Sequence, residues 1–308
     1  MAASTTPSPR SKRKPTPSLL EQLTFEAIGT RWQIDTQRAL APDVIRAIHD
    51  RAEAFDRVWS RFRGDSVVSH ISRHPGRHKL PPEATELFAL YKKLYVATRG
   101  AVTPLIGRAL EEWGYDRDYR LQPAKTITPV PRWEDALAFA DGAITTTGSQ
   151  VIDVGAAGKG YLVDLIGAVL VHHGIAEFTI DASGDLLHRS HPETAGQPLR
   201  VALEHPLNPA LAVGVAQLVN GALCASAANR RSWPGAHHII DALTGRPTDT
   251  IIATWAIAET CLLADGLATA LFFTTGAELA KSNRFEFVRM FRTGRLEQSS
   301  NFPGEIFS

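Results

Sequence analysis

Asp265 and Thr269 stand four residues apart in the apolar segment ADGLATALF, a spacing that puts a carboxylate and a hydroxyl on one helix face. Burying both is costly without partners. A hard cation such as Mg²⁺ would serve both, since it takes a few oxygen ligands and completes its shell with substrate phosphates. An Asp cap and a Thr bonded to the preceding turn account for the pair equally well. A second segment, DVGAAGKGYLVD from Asp153 to Asp164, carries Gly155, Gly158 and Gly160 around Lys159. Glycines let the backbone turn sharply and approach a ligand, and amides at a helix start suit phosphate oxygens. The glycine offsets fit neither a Walker A loop nor a dinucleotide fingerprint.

Two further clusters carry polar groups at the ends of apolar runs. In HHIIDALTGRP, His237 and His238 alternate faces of a strand, so one can face a cleft as general base or acid while the other faces away. Asp241 follows, with Ser226, Arg230 and Arg231 upstream; a lone histidine is more often structural. In IDASGDLLH, the residues Asp181, Ser183, Gly184 and Asp185 form a small-residue turn bordered by acids. Such a turn can accept hydrogen bonds from ribose hydroxyls or an adenine amine, or be a plain hairpin.

These residues need a scaffold, and the chain reads as α+β. TFEAIGTRWQIDT alternates as strand with a turn at Gly29, and PDVIRAIHDRAEAFDRVWSRF has the helical period through Val44, Ile45, Ile48, Ala52, Phe55 and Val58. PEATELFALYKKLYVATRG and PLIGRALEEWGYD read as helices, the first closed by Gly100 and the second opened by Pro104. QVID reads as a strand that leads through the glycine turn into the helix YLVDLIGAVLVHH. FTIDASGDLL, LRVALEHP, VGVAQLVNGALCAS and HHIIDALTG read as strands, AETCLLADGLATALFFTTG as a helix, and EFVRMFRTGRLEQSS as a strand pair turning at Gly294. Strands without regular helical crossovers favour α+β over a doubly wound sheet.

At 308 residues, 44% apolar and 21% charged, the chain can bury a full core, and its net charge of +1 calls for neither nucleic acid nor an anionic membrane. Only Cys224 and Cys261 are present, which excludes a disulfide framework and a cysteine-based metal site. Residues 1–20 are rich in Pro, Ser and Thr, with Arg10, Lys12, Arg13 and Lys14 and no acid. We expect them to be a disordered basic tail ahead of one domain over 21–308. No apolar run follows the basic cluster, no nearby cysteine offers a lipid anchor, and no run reaches transmembrane length, so the sequence points to the cytoplasm.

Taken in order, the clusters resemble the FAD:protein FMN transferases, the ApbE-like flavin transferases, from AIGTRW to the C-terminus. AIGT corresponds to the family's Met-Gly-Thr turn, FDRVWSRFRGDSVVSHIS to its early helix, and GAVTPLIGRALEEWGYD to its segment ending in Trp-Gly. DVGAAGKGYLVD matches Gly-x-Ala-Lys-Gly-Tyr-x-x-Asp, and DASGDL the Gly-Gly-Asp turn; HHIIDALTGRP and ADGLATALF match the last two motifs. The resemblance implies a single mixed α/β, T-fold-related domain that binds FAD with Mg²⁺, transfers FMN to a Ser or Thr hydroxyl of an acceptor protein and releases AMP.

It further implies that Asp265, Thr269 and the carbonyl of Gly158 hold Mg²⁺ and that His238 is the base. Gly155, Gly158, Gly160 and Lys159 would lie near the pyrophosphate. Asp164 with Asp181, Ser183, Gly184 and Asp185 would lie near the adenosine, and Gly29 with Thr30 near the flavin. The chain departs from the family's pattern at Gly158 (Ala), Ser183 (Gly), Ala242 (Pro), Thr103-Pro104-Leu105 (Asp-Pro-Thr) and Ala225-Ser226-Ala227 (Thr-Ser-Gly). A pyrophosphatase giving free FMN and AMP, or a non-catalytic flavin binder, would use the same pocket.

Overall fold

The computed structural model describes residues 21–190 and 198–307, so the basic tail lies outside the described residues. Its centre is an eight-stranded sheet whose strands lie side by side in chain order: β1 (Glu21–Ala27), β2 (Thr30–Thr36), β3 (Phe178–Asp181), β4 (Asp185–Arg189), β5 (Gly221–Ala227), β6 (Ile251–Ala258), β7 (Glu286–Phe291) and β8 (Leu296–Gln298). Every ladder is antiparallel. Connections between neighbours are either hairpins or long excursions that hold the remaining elements, so the mixed α+β expectation holds.

One face of the sheet carries helices α1 (Pro42–Trp59), α2 (Ala84–Ala97), α3 (Gly158–His172) and α4 (Cys261–Ala270), which share the larger core with Ile34, Ile180, Leu187, Cys224 and Ala256 of the sheet. The other face carries a three-stranded sheet, Leu199–Glu204, Ala212–Leu218 and Gly304–Ile306. Leu203, Val213, Ala216 and Leu218 there pack on Leu186, Leu223, Trp255 and Val288. Coverage on both sides explains why β6, IIATWAIA, is apolar along its whole length. Its alternate residues serve different cores, Trp255 one and Ala256 the other, and a bulge sends Ile252 and Ala253 to the same side.

Helix α1 buries Val44, Ile48, Ala52, Phe55 and Trp59, and the expected Val58 packs half-buried against the same core. The α3–α4 pair is the closest helix contact near the site. A Cβ on Gly160 would lie 2.3 Å from the Cys261 carbonyl and 2.7 Å from the Asp265 Cβ, so only glycine lets the backbones meet there.

Two expected strands are not strands. Val151–Val154 joins no sheet; the Asp153 amide donates to the Pro104 carbonyl instead (2.8 Å), because no strand runs alongside. The HHIID segment forms only two-residue bridges, Ala236–His237 with Ser232–Trp233 and Ile240–Asp241 with Arg246–Pro247. Among the described residues no helix is long and apolar enough to cross a membrane.

Candidate active site

Because the large sheet is a meander, its hairpin tips at Ile28–Gly29 and Ser183–Gly184 fall at the same end as the C-terminus of β5 and the start of β6. Helix α3 starts at that end and α4 runs back towards it. The excursion between β5 and β6, with Arg231, Trp233 and His238, closes the other side. Between them lies a cleft of about 960 Å³ lined by Gly29, Thr30, Arg61, Phe62, Tyr115, Gly155, Ala156, Gly158, Lys159, Ser183, Arg231, His238, Asp265 and Thr269, among others.

Its inner corner is built on regular elements. Asp265 is buried on α4 and its Oδ2 accepts from the Gly160 amide at 2.9 Å, while Thr269, one turn on, donates from Oγ1 to the Ala156 carbonyl at 3.2 Å. The carboxylate and hydroxyl thus share one face, as their spacing predicts. Burial, and then the charge of Asp185, hold the Asp265 carboxyl well above the usual carboxylate range, against the pull of Lys159 and the Gly160 amide. Lys159 sits 2.7 Å from Asp185 and donates to the Ala182 carbonyl at 2.9 Å. Burial opposes its charge, but Asp185 and then Asp265 outweigh that and raise its pKa. Asp185 is itself wholly buried, and its Oδ1 has no hydrogen-bond partner.

Two buried carboxyls against one ammonium leave this corner short of positive charge. That shortage, with a hydroxyl and a carbonyl beside Asp265, fits a small dication that takes oxygen ligands. Among the described residues no group of three His, Cys, Asp or Glu is placed to hold a metal, so any such site depends on Thr269 and the backbone. The carbonyl beside Thr269 is that of Ala156, not Gly158. Gly158 is the first residue of α3, where a carbonyl points along the helix axis into the ladder.

The hairpin tip that holds Asp185 is a tight turn. Ser183 and Gly184 both have positive φ, 55° and 106°, as a primed two-residue turn demands. Asp181 Oδ1 accepts from the Gly184 amide at 3.0 Å and Ser183 Oγ donates to the Arg31 carbonyl at 2.8 Å, so the tip is bonded to the neighbouring hairpin. Asp164 does not join the cleft. Its carboxylate accepts from the Cys261 and Leu262 amides at 2.9 and 2.7 Å, capping α4, and burial raises its pKa to about 6 against those two bonds. Asp164 thus shares the first turn of α4 with Thr260, whose Oγ1 accepts from the Leu263 amide at 3.3 Å.

The outer corner is built on loops. Of the two histidines, His238 faces the cleft while His237 bonds the Thr248 carbonyl through Nε2 at 2.7 Å. His238 Nδ1 lies 3.3 Å from the Arg231 carbonyl; donation there assigns the proton to Nδ1 and leaves Nε2 unprotonated. Burial first, then the charge of Arg231, push its pKa down to about 3, while Asp153 pulls weakly the other way, so the imidazole is neutral at pH 7. Arg61 is buried with its Nε 2.6 Å from Asp153 Oδ2, and its guanidinium lies 4.1 Å from the Phe62 ring centroid and 5.0 Å from that of Tyr115. Tyr115 stacks on Trp233, and Phe62 on Tyr119. Sequence patterning singled out none of Arg61, Phe62, Tyr115 or Ala156: a single Arg or aromatic in a loop has no period, and a carbonyl has no letter.

A sequence profile of the ApbE family matches residues 28–288. The chain is 26% identical over 273 residues to the FAD:protein FMN transferase of Salmonella typhimurium, covering 80% of this chain and 76% of that one. It is 24% identical to the FAD:protein FMN transferase of Rhodobacter capsulatus, covering 83% of this chain and 51% of that protein, about half its length. The crystal structure of the ApbE protein of Thermotoga maritima superposes with a TM-score of 0.79 at 22% identity, over 92% of this chain and 97% of the other, and so has the same fold. The profile match spans the glycine loop, both hairpin tips, His238 and the Asp265–Thr269 face, and the chain belongs to the ApbE family.

Proposed function

We propose that this protein transfers FMN from FAD to a Ser or Thr hydroxyl of an acceptor protein, with Mg²⁺, releasing AMP. The observation that carries the reading is the meeting, in one cleft, of a charge-deficient oxygen corner (Asp265, Thr269 and the Ala156 carbonyl) with a neutral histidine (His238). Relatives named FAD:protein FMN transferase supply the substrate. Asp265, Thr269 and Ala156 would hold the ion, with Ala156 in place of Gly158. An ion held there would supply positive charge to offset that of the pyrophosphate oxygens.

The chain's own residues do the rest. His238 Nε2 takes the acceptor's hydroxyl proton, and Nδ1–H on the Arg231 carbonyl keeps the ring oriented. Lys159 holds the Ser183–Gly184 tip against α3, which fixes the wall that Gly29 and Thr30 continue. The glycine loop keeps its carbonyl towards Thr269. Fixed placement of hydroxyl, base and phosphorus removes most of the entropic barrier to a two-body reaction.

Purified protein, FAD and Mg²⁺, with and without acceptor proteins from the same cell, test the reading. Covalent flavin on a protein band together with AMP supports it. Free FMN and AMP would make the protein a pyrophosphatase, and unchanged FAD a binder.

A further inference from the structure

Arg61 makes one ion pair and leaves its fork unused. Its side chain is 4% exposed, and only Nε meets Asp153. The other Asp153 oxygen, Oδ1, accepts from the Gly155 amide at 2.7 Å and makes no bond to the guanidinium. Both terminal nitrogens are buried without a hydrogen-bond partner, the only guanidinium among the described residues in that state. An unpaired buried donor carries the full cost of its lost hydration, and two on one group mark a place where a ligand supplies the acceptors.

Position says which ligand. The Phe62 and Tyr115 rings shield the guanidinium from water, so an anion that parts them meets its charge undiluted. Arg231, whose carbonyl holds His238, lies over the same Tyr115 ring at 6.0 Å, and the Asp153 charge reaches His238. The fork is therefore on the base's side of the cleft, where Arg61 and Arg231 outweigh Asp153. The Asp265 corner has the opposite imbalance.

We propose, on the flavin-transfer reading, that Arg61 is the residue that recognises the phosphoryl group to be transferred. Its two terminal nitrogens grip two oxygens of the FMN phosphate, and Asp153 aims the fork through Nε. Bidentate Arg–phosphate contacts are both strong and geometrically selective.

Binding of FMN, riboflavin and AMP to the full chain tests this, by flavin fluorescence for the first two and calorimetry for the third. Arg61→Gln should weaken FMN about 10- to 100-fold while riboflavin and AMP bind as in wild type. Arg61→Lys, which keeps charge but not the fork, should fall between, and Asp153→Asn should lose less than Arg61→Gln. Unchanged FMN affinity in Arg61→Gln would overturn the proposal. Equal loss of riboflavin would overturn it too, as damage to the cleft, and equal loss of AMP would move the fork to the other phosphate. These binding comparisons need no turnover: if wild-type protein gripped FMN through Arg61 yet transferred nothing from FAD, the transferase reading would fail and the Arg61 contact would stand.

Discussion

The two corners of the cleft are built on opposite principles. The Asp265 corner sits where two helices touch and a hairpin tip docks, and its polar groups bond one another: Gly160 to Asp265, Thr269 to Ala156, Lys159 to Asp185 and Ala182. It is rigid and short of positive charge. The His238 corner sits on loops and two-residue strands, held by ring stacking and single bonds such as Trp113 Nε1 to the Gly245 carbonyl and Trp233 Nε1 to the Trp113 carbonyl. It carries surplus positive charge and an unused fork. A rigid, electron-rich corner suits an ion and the invariant half of a reaction. A looser, cationic corner suits a transferring phosphate and a protein acceptor whose shape varies.

The sharpest break in that comparison is Asp265→Asn. Near-isosteric, it keeps an acceptor for the Gly160 amide but removes the charge, so the fold should survive. Transfer should fall by at least about 10³-fold, because metal-assisted charge stabilisation is worth several kcal/mol at about 1.4 kcal/mol per tenfold. AMP release and covalent flavin on a gel measure it; turnover near the wild-type rate would remove Asp265 from the reaction.

His238→Gln tests the other corner. Transfer should drop by roughly 10²- to 10⁴-fold with FAD affinity retained, the range for loss of a general base. The same variant tests the burial of the ring. An unfolded histidine titrates near 6.5, while folded His238 is pushed down to about 3. Between those values the unfolded chain binds the extra proton, so stability rises with pH there and is lost as pH falls below about 6.5. His238→Gln should remove up to about 1.4 kcal/mol per pH unit from that slope, with His237 still contributing in the same direction. Urea midpoints from pH 4 to 7 would show it, and an unchanged slope would mean the ring is solvated.

Gly160→Ala asks how rigid the inner corner is. A methyl group 2.3 Å from the Cys261 carbonyl has no flexible neighbour to push aside, so α3 and α4 must separate. The expected loss is about 1–3 kcal/mol of stability, with a larger fall in activity as Ala156 and Thr269 move apart. A variant that melts like wild type and turns over normally would show the contact to be compliant.

The contrast between the corners also governs what the sequence discloses. Asp265 and Thr269 are legible because a helix converts a spacing of four into a shared face; alternation on an extended chain says only that one of His237 and His238 can face a cleft, and the family resemblance picks His238. Lys159, Ser183 and Asp185 announce themselves through the glycines around them. The capping of the Cys261 and Leu262 amides by Asp164 is not legible, since a carboxylate that bonds amides far along the chain looks like any acid after a glycine loop. Arg61 and Tyr115 come together only through the fold, the first after α1 and the second before a Pro-rich connector. The strand expected at QVID fails for a related reason: an apolar run becomes a strand only where another strand lies beside it. The opposite failure is β6, IIATWAIA, to which the sequence reading assigns no strand: covered on both faces, it has no alternation of apolar and polar residues to mark it.

Ser183→Gly gives the smallest effect and the finest comparison. Ser183 holds φ of 55°, where a non-glycine residue is strained by about 1–2 kcal/mol, so glycine relieves the turn. Against that, the bond from Ser183 Oγ to the Arg31 carbonyl is lost, worth about 0.5–1.5 kcal/mol, and glycine adds freedom to the unfolded chain. The terms nearly cancel, and the melting temperature should stay within about 3 °C of wild type. A fall well beyond that would mean the Ser183–Arg31 bond is what ties the two hairpin tips into one wall. The turn would then belong with the interlocked corner rather than with the loops opposite.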